Sequence, residues 1–398
     1  MSLSVAVSAT AGDYSASEHL WYKQPAVLPS TPLPWTVTPH DVNNIPGKKR
    51  NDTWESQTLP VGNGRIGGTV YGGDRLDCVV LNEVSLWSGG LNAPKNGANY
   101  TYGPKAGEKE FGSYQPFGNL YVAYEYAGSP EQYSRALDLR KAEAVTQFRA
   151  GENNYRRTCF ASRPDDVMVY TAETDKPGGI TAAIALTPYH NVTYAKGEGN
   201  TIIMKGTLTN GERFEGRILV KSKGGTVSVN GNFGPADVAY AGRADNMKPA
   251  VAPSTVPYIQ VMGADSLEIY VTMATDYAQD YSKGWKGEAP ELRNEKVLRG
   301  IEGKSVEQIR AAHRSDFASF YERMNLDLGT SPDVLQEAPT DVRVHSYSNR
   351  YNRNMGAYDP DLEELIFNFG RYVLISGSQP GNLPVTLQGI WNNKVHAP

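Results

Sequence analysis

Excess charge of either sign is missing from this sequence. Its 39 Lys and Arg face 43 Asp and Glu, a formal net charge of -4, and charged residues make up 21% of the 398-residue chain. That balance removes the electrostatic case for nucleic acid or an anionic membrane surface as a partner. Cysteine is nearly absent: Cys78 and Cys159 stand alone, both in apparent strands. Buried free thiols are the default reading, with one disulfide as the alternative. No apolar run approaches the ~18 residues that a membrane-spanning helix requires. The start, MSLSVAVSATAGDYS, has no Lys or Arg and no adequate apolar core for a secretion signal. It reads as the remnant of one or as a plain disordered terminus. The six histidines (19, 40, 190, 313, 345 and 396) are scattered, with no H-x-x-x-H or Cys/His ligand spacing, so no metal site is expected. His313 falls on a helical stretch and reads as a helix-surface or interface residue. There is no G-x-S-x-G nucleophile elbow.

What the sequence does have is 24 Tyr, 40 Gly and 25 Pro. Gly and Pro in that number suit many turns and few long helices. Tyrosine joins a flat apolar face to a hydroxyl, which suits a β-rich protein that handles sugars; it is equally a good strand residue with no further role. The length exceeds what one average core organises, so two domains or more are expected. Three sequons, at Asn51, Asn99 and Asn191, lean toward an extracellular, secreted protein, with the periplasm as the alternative.

Residues 1–20 read as disordered or as a signal remnant, and the proline-rich stretch to Pro39 as an extended arm. From Trp54 to about Tyr281 short alternating runs predominate. Leu120, Val122 and Tyr124 share one face; so do Ile180, Ala182, Ile184 and Leu186, then Phe214, Ile218 and Val220, then Leu267, Ile269, Val271 and Met273. Gly224-Gly225 reads as a hairpin turn. These runs predict an antiparallel sandwich of two sheets over residues 21–282. Residues 287–304 read as a charged loop or a short helix. Ser305 with Gln308 forms a capping box, and Val306, Ile309, Phe317, Phe320 and Met324 recur near helical spacing. This places a helical linker at 283–345. In the last segment, 346–398, Asp359 caps a helix with Pro360 in its first turn. Leu362, Leu365, Ile366, Phe369, Tyr372 and Val373 form its apolar stripe, which must be covered by the β domain or by chain beyond this sequence.

Two stretches carry unusual chemistry. The first, Leu59 to Gly90, contains Gly62-Asn63-Gly64-Arg65-Ile66-Gly67, a literal G-x-G-x-x-G. A β-prone, glycine-broken run follows it where a dinucleotide site needs a helix. A turn permitted by glycine, with close backbone approach, fits better. Farther on, Asn82, Glu83 and Trp87 gather an amide, a carboxylate and an indole at a strand end. They could grip a sugar, or form a polar strand terminus beside a half-buried tryptophan, and residue type alone favours the latter. The second stretch, Gly377 to Asn393, offers Gln388, Trp391, Asn392 and Asn393. Amides for hydroxyls and an indole for a ring face would suit the floor of a sugar pocket; a plain connecting loop is the alternative.

Taken together, LPVGNGRIGGTVYGG (59–73), LNEVSLWSGG (81–90), YQPFGNLYV (114–122), YSRALDLRKAEA (133–144), YRRTCFASRPDDVMV (155–169) and FGRYVLISGSQPGNLPVTLQGIWNN (369–393) resemble glycoside hydrolase family 95. Its members are mainly α-L-fucosidases, with some α-L-galactosidases. The resemblance implies a multidomain protein with an N-terminal antiparallel β-sandwich, a helical linker and the start of a truncated (α/α)6 barrel. It implies inverting hydrolysis without a cofactor, in which a glutamic acid protonates the leaving oxygen and an asparagine, polarised by an aspartate, helps activate water. The family motif that bears this asparagine follows the IWN segment and is not reached by His396-Ala397-Pro398. No catalytic residue of this chain is therefore assigned, and the 398 residues alone are expected to be inactive. The expected partner is a fucosylated oligosaccharide or glycan. Trp391, Asn392, Asn82, Glu83 and Trp87 are the candidate substrate-binding residues. A carbohydrate-binding or structural β module without catalysis is the reading from another class.

Overall fold

The computed structural model describes residues 14–28, 53–89, 112–231, 256–353 and 358–394. The short strands are β1 (His19–Tyr22), β2 (Leu59–Gly62), β3 (Ile66–Val70), β4 (Leu76–Glu83), β5 (Trp87–Ser88) and β6 (Ser113–Tyr114). There follow β7 (Gly118–Glu125), β8 (Pro130–Asp138), β9 (Glu143–Ala150), β10 (Asn153–Ser162), β11 (Val167–Thr174) and β12 (Ile180–Pro188). The series closes with β13 (Val192–Lys196), β14 (Thr201–Thr207), β15 (Arg213–Lys223), β16 (Thr226–Asn230), β17 (Tyr258–Ala264) and β18 (Ser266–Thr275). One sheet has the order β1-β8-β9-β10-β11-β18-β15-β14-β13; the other runs β16-β17-β12-β7-β4-β3-β2. Neighbours pair antiparallel, as in β7 with β12 and β15 with β18.

The period-2 pattern explains how the sheets face each other. Leu120, Val122 and Tyr124 of β7 enter the core between the sheets, with Ile184, Ile218, Val271 and Met273. Tyr121 and Ala123, which alternate with them, enter a second cluster on the outer face. Gly224 and Gly225, expected to form a hairpin turn, instead carry the chain from β15 in one sheet to β16 in the other, with φ of +70° and +65° that glycine adopts without strain. Polar groups also bridge the sheets. Asp77 of β4 accepts from Tyr170 of β11, and the Tyr170 and Tyr124 hydroxyls lie 3.0 Å apart. The Arg157 guanidinium stacks 3.6 Å from the Tyr124 ring centroid and donates to the carbonyls of Gly73 and Asp74.

The helices are α1 (Thr53–Gln57), α2 (Pro290–Gly300), α3 (Val306–Tyr321), α4 (Asp333–Gln336), α5 (Thr340–Arg353) and α6 (Pro360–Gly377). The stretch 287–304 thus contains a helix, α2, which packs on β15 and β18. The capping box at Ser305 and Gln308 is present. Helix α3 buries Phe160 and Tyr270 of the sheet under Val306 and Ile309. It ends at Tyr321, so Met324, expected in its apolar stripe, is exposed instead.

Asp359 caps α6 by accepting from Leu362 N at 2.9 Å. It also holds Arg343 of α5 through both carboxylate oxygens, at 2.7 and 3.0 Å. Leu362, Leu365 and Tyr372 are buried, with Tyr372 5.7 Å from Phe317 of α3 and its hydroxyl donating to Pro60 O of β2. The β domain and α3 therefore cover this part of the stripe. Ile366 lies off the docked face and is 62% exposed, a departure from the expected stripe. The expected disordered start, 1–20, also needs correction where it is described: His19–Tyr22 pairs with β8, and Trp21 is buried with its N–H donating to Thr340 Oγ1. The proline arm is described only to Leu28, where Ala26 N donates to Tyr71 O; residues 29–39 and the sequons at Asn51 and Asn99 lie outside the described residues. Asn191 is exposed. Cys78 and Cys159 are free thiols in separate apolar clusters, and burial pushes both above the ordinary thiol value.

Candidate functional site

The two unusual stretches pack on each other. The glycines of β2 and β3 make this possible. A Cβ added at Gly62 would stand 2.7 Å from Ser376 O, and one at Gly67 would stand 3.0 Å from the Ile390 side chain. At Gly64, φ is +84°, its N–H donates to Ser376 O at 2.8 Å, and an added Cβ would meet Gln379 Cβ at 2.6 Å. The G-x-G-x-x-G run therefore receives the end of α6 and the closing loop, not a phosphate. Asn63 shapes the turn: its Oδ1 accepts from the N–H groups of Arg65 and Ile66, and its Nδ2 donates to Ser162 O.

Three of the five candidate residues join in this contact. Asn82 and Asn392 bond reciprocally: Asn82 Nδ2 donates to Asn392 O at 2.9 Å, and Asn392 N donates to Asn82 Oδ1 at 3.1 Å. A side-chain amide thus pairs with a backbone as a strand would. Asn392 Nδ2 donates in turn to Tyr114 O and Lys394 O. The Trp391 indole lies over Gly62, with Nε1 donating to Val61 O at 2.9 Å, and is 5% exposed. The floor of amides and indole is thus closed over by the β domain. Gln379 Oε1 and Asn393 Oδ1 are buried there and have no hydrogen-bond partner among the described residues.

Glu83 and Trp87 occupy the adjoining corner. Glu83 is buried and pairs with Arg65 Nη1 at 3.1 Å; its other oxygen accepts from Ser85 N and Ser85 Oγ. Arg65 also reaches Asp166 at 2.7 Å and the Met273 carbonyl, which ties this corner to both sheets. The half-buried Trp87 donates from Nε1 to Val84 O, and its ring centroid lies 5.4 Å from that of Tyr114. Its backbone is held by the β14–β15 turn, where Asn210 Nδ2 donates to Trp87 O at 2.8 Å. Burial, with Glu83 and Asp276 nearby, raises Glu212 from the ordinary 4.5 to about 8.

Sequence reasoning did not single out Arg65, Tyr114, Asn210 or Glu212 as members of this corner. Asn210-Gly211 carried the signal of a tight turn, but nothing in it says what the turn would touch. His313 is a buried interface residue: its Nε2 lies 3.0 Å from Lys141 O, and burial lowers its pKa. Among the described residues no group of three or more His, Cys, Asp or Glu is placed to hold a metal ion. A separate cleft, lined in part by Lys205, Arg213 and Glu291, contains none of the five candidates.

Comparison with known proteins places this geometry in a family. Residues 20–109 and 96–280 match "Glycosyl hydrolase family 65, N-terminal domain", and residues 305–398 match "Glycosyl hydrolase family 95 catalytic domain". "Alpha-L-fucosidase 2" of Arabidopsis thaliana is 27% identical over 88% of this chain and 44% of its own length. "Probable alpha-fucosidase A" of Aspergillus niger is 28% identical over 92% of this chain and 46% of its own length. The chain thus spans about half the length of the curated relatives it matches. With a family 65-type N-terminal domain joined to family 95 catalytic-domain sequence, the chain belongs to glycosyl hydrolase family 95, as an α-L-fucosidase-like member represented by its N-terminal part.

Proposed function

We propose that this chain is part of an inverting α-L-fucosidase that removes terminal α-linked L-fucose from an oligosaccharide or glycan outside the cytoplasm. The observation that carries the reading is the joint match: family 95 catalytic-domain sequence over residues 305–398, in a chain similar over most of its length to proteins named as α-fucosidases. In this reading residues 21–282 form the β-sandwich domain, 283–345 the linker, and 346–398 the opening of an (α/α)6 barrel. The contact of Gly62, Gly64 and Gly67 with α6 and the closing loop supports it, because it fixes the entrance of such a barrel on a rigid sheet. Trp391 and Asn392 would shape the pocket from behind, through the loop they anchor. Asn82 acts through Asn392, while Glu83 and Trp87 stand at the adjoining corner.

The chemistry would divide between an acid that protonates the glycosidic oxygen and a group that activates water on the opposite face of the sugar. Neither role is assigned to a residue of this chain. We therefore expect no fucose release from the 398 residues alone. The test uses 2′-fucosyllactose and NMR detection of the first-formed anomer. A protein carrying residues 1–398 together with a complete family 95 catalytic domain should release fucose first as the β-anomer. Release of the α-anomer first, or release of L-galactose but not L-fucose from matched substrates, contradicts the reading. Fucose release by the 398 residues alone contradicts the expectation of inactivity.

A further inference from the structure

The loop that follows β18 presents aromatic rings to solvent. Tyr281 is 81% exposed and Trp285 46% exposed, in a protein that buries most of its large rings. Their exposure does not come from a loose loop. Gly287 N donates to Asp276 O at 2.7 Å, and Tyr277 and Lys286 form an antiparallel bridge that closes the loop. Inside it, Trp285 N donates to Asp280 O and Ala278 N donates to Trp285 O, both at 3.0 Å. Asp280 Oδ1 accepts from the N–H and hydroxyl of Ser282, fixing the turn that carries Tyr281.

Trp285 has a φ of +63°. A bulky residue rarely adopts this left-handed conformation, and glycine or asparagine would occupy it at lower cost. Strain of this kind persists where the surroundings impose it, and it concentrates at functional sites. Here the strained backbone holds the indole parallel to the Tyr277 ring, within 2° and with centroids 6.4 Å apart. Tyr281 meets the indole edge-on at 69° and 5.9 Å. The result is a braced pair of exposed rings with two facets.

The surrounding charges indicate what such a surface would accept. Lys286 Nζ is committed to Asp276 at 2.9 Å and to Gly211 O, and Lys283 Nζ lies 3.2 Å from Asp280. With these lysines already paired, the loop favours an uncharged ligand. Flat apolar rings beside short hydroxyl and carboxylate groups suit the C–H face of a pyranose and its hydroxyls.

We propose that Asp276–Gly287 is a glycan-binding platform, on which Trp285 and Tyr281 stack against neighbouring pyranose rings of a neutral oligosaccharide chain. The choice of a sugar as ligand rests on the glycosidase reading above, but the platform takes no part in hydrolysis. It would hold the non-reacting part of a glycan. The neighbouring Asn210-bearing turn also clasps Trp87, so the platform and the candidate corner share a support.

The test is electrophoresis of the 398-residue protein through gels containing soluble neutral polysaccharides: a β-glucan, a galactomannan and a fucosylated xyloglucan before and after chemical removal of its fucose. Retardation by at least one of them is expected, and it should persist after defucosylation. Trp285→Gly and Tyr281→Ala should each weaken it on the order of tenfold. Trp285→Gly should keep or raise Tm, because it removes a strained residue. No retardation of the wild type, equal retardation of both variants, or wild-type self-association with no glycan effect would overturn the proposal. Retardation that vanishes with the fucose would also overturn it, by assigning recognition to a fucose site instead. If the fucosidase assay fails while platform binding survives, only the glycosidase reading falls.

Discussion

Gly64 concentrates the constraints of the interface in one residue. It needs a left-handed φ of +84°, and its missing side chain leaves room for Gln379. Gly64→Ala should therefore lower stability by about 2–4 kcal/mol, combining backbone strain with steric displacement. Urea unfolding followed by tryptophan fluorescence measures this; a change below about 0.5 kcal/mol would show that the loop yields easily. Glu212 gives a prediction with a pH signature. Its pKa rises from 4.5 to about 8 in the folded chain, mainly through burial, so the native state retains a proton that the unfolded state loses first. Its contribution is fully present below about pH 4.5 and is lost progressively as pH rises to about 8. Glu212→Gln should flatten the fall in stability across that window; an unchanged slope in urea midpoints contradicts the assignment. The glycines were legible in the sequence as a turn with close backbone approach, but what approached them was not. Glu212 gave no sequence signal, because its pKa depends on burial and on the nearness of Glu83 and Asp276, which only the folded sheets provide.

Helix α6 shows how far local signals reach at the scale of an element. Asp359, Pro360 and the acids of the first turn mark its start in the sequence, and the cap is present. Which part of its apolar stripe would be covered was not legible, since that depends on the position of β2 and α3. Leu362, Leu365 and Tyr372 meet them, while Ile366 does not. Nor did the cap motif disclose that Asp359 also neutralises Arg343, with both side chains 1% exposed. Asp359→Ala leaves that guanidinium buried without its partner and should cost about 3–5 kcal/mol, well above the ~1 kcal/mol of a lost cap alone. A loss of only ~1 kcal/mol in urea unfolding would mean that Arg343 finds another partner. The strands were more readily legible than the helical contacts. Alternation along β7, β12, β15 and β18 identified the inward residues, because a sheet face follows from parity alone.

Across the whole molecule, the glycine-rich strands near the start and the IWN loop near the end form one interface. Their positions in the chain, some three hundred residues apart, gave no hint of this contact. It joins the β-sandwich to the family 95 catalytic-domain sequence, and the proposed function depends on the rigidity of that join. Asn82 and Asn392 report on it most directly, since the Asn82 side chain bonds the Asn392 main chain across the boundary and the Asn392 side chain bonds Tyr114 O. The decisive measurement is a double-mutant cycle on Asn82→Ala and Asn392→Ala, read from urea unfolding. Removal of either amide should cost about 1–3 kcal/mol by leaving buried polar groups unpaired. The two effects should be non-additive by at least about 1 kcal/mol, because both side chains hold the same backbone segment: Asn82 bonds the Asn392 main chain, and the Asn392 side chain ties that segment to Tyr114 O. Additivity within about 0.3 kcal/mol would contradict the account, because the two stretches would then act as independent parts.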